Sequence, residues 1–354
     1  MATPELLVSV ERIRERILET LKSYGALYIS RDINWYSSTD SIKSLVVGVD
    51  SSYTSRVFKY IYLYLIRGVA VPGGDEEIYR KCLATDSYGD AHFIATPIRE
   101  ERSLESRGSV SMPAKELKKI LSHRARDLEV SLGKKALECS EKISGEKPLV
   151  LLDGSARGFL PYRFKGSAEE KSSELIASLR KSWEDRIASL RSLSNEKKIA
   201  FVAKTIYRTY LSDKAKPYIK DPESGSEIEV LVPDVVLLDL FLTRRGVFEG
   251  GVRTPGFTEP ILYENNDPKM HITIFYAVFE RGGGLYQVSL LGDYTSDIDF
   301  VKEIFAKIRY HSAGGYPEPL RQAHHYAKIR YSDFDKLLHV YGIYLETGRE
   351  VLEL

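Results

Sequence analysis

The chain has 354 residues, 43% hydrophobic and 29% charged, which suits one large or two moderate globular domains and excludes a disordered, collagen-like or coiled-coil chain. Its 51 basic and 50 acidic residues leave a formal net charge of +1, so a nucleic-acid-binding face would have to be local. No apolar run reaches the ~18 to 20 residues of a membrane span and the start lacks a signal-peptide layout, so a cytoplasmic protein with no membrane partner is expected.

Residues 4–24 carry Leu6, Val10, Ile13, Ile17 and Leu21 at steps of three and four among charged residues, the pattern of an amphipathic helix. We take 1–30 as an N-terminal helix for a dimer or partner contact and 31–354 as the main domain. SLVVGVDSS is an apolar strand that ends in Asp50. VFKYIYLYLIRGVAV, punctuated by Gly73-Gly74, reads as a second strand and HFIATPI (92–98) as a third. A helix follows from Pro113 to about Glu141, then the buried strand PLVLLDGS, a charged helix over about 169–193 and the strand KIAFVAK. The order β-β-β-α-β-α-β is that of a ribonuclease-H-like α/β fold, a mixed sheet with helices on its faces. Prolines 217, 222, 233, 255 and 260 mark 205–260 as a peripheral insertion. ITIFYAVFE and LYQVSLL form a hairpin through Arg281-Gly-Gly-Gly284, and helices fill most of 297–347.

Two cysteines, Cys82 and Cys139, build neither a disulfide framework nor a four-thiolate zinc site, so a metal would sit on oxygen or imidazole ligands. Asp50 and Asp153 each follow four or more apolar residues and precede small ones. On neighbouring strands they would place two carboxylates at one sheet edge, the ligand type that Mg²⁺ and Mn²⁺ prefer. No phosphate-binding glycine loop and no nucleophile elbow is present. The scarcity of Gln (287 and 322) and Asn (34, 195, 265 and 266) resembles a thermophile's composition.

D-S-S after the first strand, D-G-S after a later one, a lysine closing the next strand and G-Y-P-x-P-L-x-x-A-H near the end occur in this order. On these motifs, over roughly residues 45–330, the chain resembles the NurA nucleases of archaea and some bacteria. The resemblance implies a ribonuclease-H-like homodimer that degrades DNA ends in the 5′ to 3′ direction with Mn²⁺ and cuts single strands. It also implies a partnership with the hexameric ATPase HerA in DNA double-strand-break end resection. Carried onto matching positions, Asp50 and Asp153 become metal ligands, Lys204 a phosphate contact, and Tyr316 and His324 a C-terminal active-site pair, with the family's helix glutamate falling on Glu129. His325 is one position out of register. Helical spacing favours Glu129 over Glu138, because Ser122, Ala125, Gly133, Ala136 and Ser140 place it in a stripe of small residues, whereas Glu138 neighbours Lys134, Lys135 and Lys142.

The reading is a metal-dependent DNA nuclease. Asp50, Glu129 and Asp153 would hold two Mn²⁺ (or Mg²⁺) ions about 3.5 to 4 Å apart. Lys204 and His324 would offset phosphate charge, with His324 also open to metal ligation or proton donation. Arg124, Arg126, Arg244, Arg245, Arg253, Lys328 and Arg330 are candidates for a basic channel. The alternative is a non-catalytic adaptor or nucleic-acid-binding module on the same scaffold.

Overall fold

The computed structural model describes residues 27–58, 61–93, 114–160, 174–204, 208–221, 223–244, 248–249, 252–265 and 270–340. The expected N-terminal helix over 4–24, residues 94–98 of the third strand reading, Arg245 and the end of the last helical stretch lie outside them. The chain divides into two compact units, 37–205 with 255–354, and 1–36 with 206–254.

The larger unit is a mixed sheet flanked by helices. Its elements are β1 (Val46–Phe58), β2 (Ile61–Gly73), α1 (Glu76–Cys82), β3 (Ala84–Phe93), α2 (Ala114–Ser144), β4 (Leu149–Asp153), α3 (Ala156–Phe159), α4 (Glu174–Asn195), β5 (Ile199–Ala203), β6 (Gly256–Thr258), β7 (Ile261–Tyr263), β8 (Ile272–Val278), β9 (Tyr286–Leu291), α5 (Ile298–Tyr310), α6 (Glu318–Ala327) and α7 (Tyr331–Val340). The strands run in the order β3-β2-β1-β4-β5-β9-β8-β6, with β7 also on β8. β1, β4 and β5 are parallel to one another. The other pairings are antiparallel. LVLLD and IAFVA are apolar at almost every position because helices cover both faces of this parallel core, and Val150, Leu151, Leu152, Ala200, Phe201 and Val202 are fully buried.

Two departures from the sequence reading have physical causes. The first strand runs on to Phe58 and pairs residue for residue with β2 from Ile61, so the hairpin turn falls inside the aromatic run read as one strand. An alternating pattern of β-branched and aromatic residues does not mark where a long hairpin reverses unless Gly, Asn or Pro does so. The third strand is Ala84–Phe93, ahead of the expected segment, and its Thr85, Asp86, Ser87 and Gly89 lack the apolar density that selected HFIATPI. Helix α1 also went unread. It is short and starts at Asp75, whose carboxylate accepts from the Glu77 and Ile78 amides at 2.9 and 3.0 Å.

The cysteines form one bridge, Cys82–Cys139, from the end of α1 to α2. Composition excluded a multi-disulfide framework and gave no sign of a single staple.

The two faces of the sheet are closed by different means. α2 lies against β1, β2 and β4 through its small residues. A Cβ on Gly133 would stand 3.0 Å from Val150 and 3.4 Å from Val49. Tyr62, Tyr64 and Ile66 pack with Ile120, Leu121 and Ala125. On the opposite face α6 buries Leu320, Ala323 and Ala327, the latter two against Val69 and Val71. Its first turn touches β1 backbone to backbone: a Cβ on Gly48 would fall 2.2 Å from the Pro319 carbonyl carbon and 2.4 Å from the Leu320 nitrogen. Only glycine permits that approach.

In the smaller unit Tyr28–Ile29, Pro217–Lys220 and Glu227–Glu229 form an antiparallel sheet. The Asp234 carboxylate accepts from the Tyr210 and Leu211 amides at 3.0 and 2.8 Å. Among the described residues no helix is long and apolar enough to cross a membrane.

Candidate active site

β1 does not end at Asp50, contrary to the strand boundary read from sequence. What ends there is its parallel neighbour: pairing runs from Val46↔Leu149 to Val49↔Leu152, and β4 stops at Asp153. Asp50 and Asp153 therefore stand side by side where the sheet's central pair opens. Strand alternation gives both the face of Gly48 and Leu151, the face on which α6 sits. Gly154, at φ +111°, turns the chain away immediately after Asp153, a backbone conformation that favours glycine.

α6 brings the third group. His324 Nδ1 lies 2.6 Å from Asp50 Oδ2, and ligand atoms of Asp50, Asp153 and His324 all fall within 4.8 Å of one another. Burial, then the nearby Asp153 charge, raises the Asp50 carboxyl above its usual range, while His324 opposes the shift. Two carboxylates and an imidazole, with unfavourable negative charge to relieve, fit a hard or borderline divalent cation such as Mn²⁺.

Lys204 and Tyr316 complete this side. Lys204 Nζ is 2.9 Å from Asp153 Oδ2 and 4.4 Å from the centre of the Tyr316 ring. Burial, reinforced by Asp153 and Asp50, raises the Tyr316 phenol far above its ordinary value, so it stays a hydrogen-bond donor. Its ring packs against Tyr286 at 5.2 Å.

Glu129 lies outside the three-residue group but belongs to the same electrostatic neighbourhood. It is 6% exposed, and its carboxylate accepts a short hydrogen bond from the Ser51 hydroxyl. Burial pushes its pKa up to about 8; Ser51 and Arg126 oppose the rise and the Asp50 and Asp153 charges add to it. Glu138, on the same helix, is exposed.

Two residues of the D-S-S motif carry duties that the sequence reading missed. Ser51 holds Glu129. Ser52 donates to the Ala327 carbonyl at 3.0 Å and accepts from the Ile329 amide at 3.0 Å, tying the end of α6 to the strand that bears Asp50. Both serines were visible as the small residues after Asp50, but a serine's partner is a tertiary fact.

The basic residues do not behave alike. Arg124 lies 6.0 Å over the Tyr88 ring, Arg126 stands beside Glu129, and Lys328 and Arg330 are exposed after α6. Arg253 pairs with Asp239 at 2.8 Å within the smaller unit, whose long helix ends at Arg244.

Residues 44–329 match the family model described as the NurA domain. Among solved structures, the NurA nuclease from Sulfolobus solfataricus is similar at a TM-score of 0.59 with 17% identity, over 96% of this chain and 97% of that one. A crystal structure of NurA with manganese superposes at 0.57 with 16% identity, over 94% and 98%. One of NurA bound to dAMP and manganese does so at 0.58 with 17% identity, over 98% and 96%. These likenesses show a shared fold. The comparison with curated proteins gives no match.

Proposed function

The chain belongs to the NurA family, and from that premise we propose that it is a Mn²⁺-dependent nuclease that hydrolyses DNA phosphodiester bonds. The observation that carries the reading is the convergence of Asp50, Asp153 and His324 within 4.8 Å at the open end of the β1–β4 pair. Similar structures that hold manganese and dAMP support the choice of ion and substrate class. The strand order β3-β2-β1-β4-β5, with β2 antiparallel to its neighbours, supports a ribonuclease-H-like reading of the sheet.

Asp50, Asp153 and His324 would hold the ion, with Glu129 able to join as a second-ion ligand. When bound, the ion supplies Lewis acidity for phosphodiester hydrolysis. The chain's own groups do the positioning. Lys204 offers positive charge beside Asp153, where a DNA phosphate would enter, and Tyr316 offers a phenol proton to a phosphate oxygen. His324 is seated against Asp50 through Nδ1. Ser51 and Ser52 fix Glu129 and the end of α6, so these groups share one rigid frame.

The family resemblance supports 5′ to 3′ exonuclease and single-strand endonuclease activity. It also supports a homodimer and work with the HerA ATPase in end resection in the cytoplasm. A binding-only adaptor has no use for three converging metal-ligand groups, which favours the enzyme. End-labelled linear DNA incubated with the purified protein should be degraded in Mn²⁺ and remain intact in chelator. Intact DNA under both conditions would leave the adaptor reading standing.

A further inference from the structure

Beyond the residues already discussed, α2 crosses β1 in a definite register. Gly133 stands against Val49, and two strand residues on, Glu129 accepts from Ser51. One helical turn further back, the same progression brings Arg126 to Tyr53. Glu129 and the Tyr53 phenol both favour the charged form of Arg126 while burial opposes it, which agrees with this placement.

Arg126 is unusually situated. Its guanidinium lies 5.7 Å over the Phe159 ring, and a Cβ on Gly158 would stand 3.3 Å from Nη2. It is partly buried, yet among the described residues it has no hydrogen-bond or ion-pair partner within reach. A half-buried guanidinium whose five donors reach no acceptor among the described residues has donors to offer an incoming phosphate. Tyr53 complements it. Although it sits on a strand of the central sheet, it is 46% exposed, because β4 stops at Asp153 and leaves this part of β1 uncovered on that side.

Resting on the nuclease reading, we propose that Tyr53 and Arg126 form a positioning site for a single strand of DNA on the α2 face of β1, one step out from Glu129 and reached from Asp50 and Asp153 past the open end of β4. Arg126 takes a backbone phosphate in bidentate fashion and Tyr53 stacks on the adjacent base. A lone exposed ring reaches a base only when that base is unstacked from a duplex, so the site selects a single strand. Stacking is tolerant of base identity, because every base has a π-face, so the site reads strandedness rather than sequence.

The test is binding of a labelled single-stranded oligonucleotide to the full chain, by fluorescence anisotropy, with Ca²⁺ in place of Mn²⁺. Tyr53→Ala should weaken binding about tenfold while Tyr53→Phe binds like the wild type. Arg126→Gln should lower the slope of log K against log salt by about 0.7, and Tyr53→Ala should leave that slope unchanged. With the unaltered protein, an abasic position moved along the oligonucleotide should find one place where loss of the base costs about as much as Tyr53→Ala. A wild type that binds, with Tyr53→Ala equal to it, an unchanged slope in Arg126→Gln or no sensitive abasic position, overturns this site and leaves the nuclease reading intact. A wild type that binds no DNA overturns both.

Discussion

His324 and Asp50, 274 positions apart in the chain, meet at 2.6 Å, imidazole Nδ1 to carboxylate Oδ2. The contact follows from the seat of α6. Its first turn rests on Gly48, two residues before Asp50, and its end is bound by Ser52, two residues after. His325 lies about 100° around the helix and is exposed, its ring 5.7 Å from Tyr326. His324→Ala should therefore lose at least tenfold more Mn²⁺-dependent cleavage than His325→Ala. Equal losses in a cleavage time course, or the reverse order, would show that the imidazole on Asp50 has no part in the chemistry.

The two helix glutamates make a sharper contrast. Glu129 is buried against Ser51, and Glu138 is exposed more than two turns along α2. Glu129→Gln keeps the shape and the hydrogen bond but cannot ionise to ligate a cation, so most activity should be lost; Glu138→Gln should cleave like the wild type. Comparable rates for both variants would place the third carboxylate elsewhere.

The sequence made Asp50, Asp153 and the α6 motif legible because each is local: an apolar run that stops at an acid, or a turn and a proline-started helix before a histidine. The stripe of small residues around Glu129 was legible for the same reason, and it does lie against the sheet. What sequence could not supply was pairing between distant elements. The β1–β2 reversal, the Ser51–Glu129 and Ser52–Ala327 bonds and the Cys82–Cys139 bridge depend on register, which no local pattern encodes.

The Cys82–Cys139 bridge spans a sequence separation of 57. Closing a loop of that size lowers the entropy of the unfolded chain, worth about 4 kcal/mol in the chain-entropy model. A Cys82→Ser/Cys139→Ser double variant should unfold at clearly lower guanidinium concentration than the oxidised wild type. Coincident midpoints would show that the bridge adds no stability.

A half-buried histidine gives the fold an acid-sensitive point away from Asp50 and Asp153. His123 on α2 accepts from Arg186 at 3.3 Å, and burial, then the Arg186 and Arg126 charges, lowers it to about 4. Unfolded, an imidazole titrates near ~6.5, so between these values the unfolded chain binds the extra proton and stability falls as pH drops from ~6.5 toward 4. His123→Gln keeps an acceptor for Arg186 and cannot titrate. Its melting temperature should fall less steeply than the wild type's over that window; parallel curves would mean that His123 titrates alike in the folded and unfolded chain.

The most direct measurement of the central claim is the rate of Mn²⁺-dependent cleavage of end-labelled DNA by Asp50→Asn and Asp153→Asn, each checked for an unchanged melting temperature. The amide has nearly the carboxylate's size and lacks its charge, so an ion held between these strands should be lost while the sheet stands. Each variant should be slowed more than about 100-fold, a barrier increase of ~2.7 kcal/mol. Near-normal cleavage by either one would contradict the assignment of the metal site to Asp50 and Asp153, where the β1–β4 pairing stops.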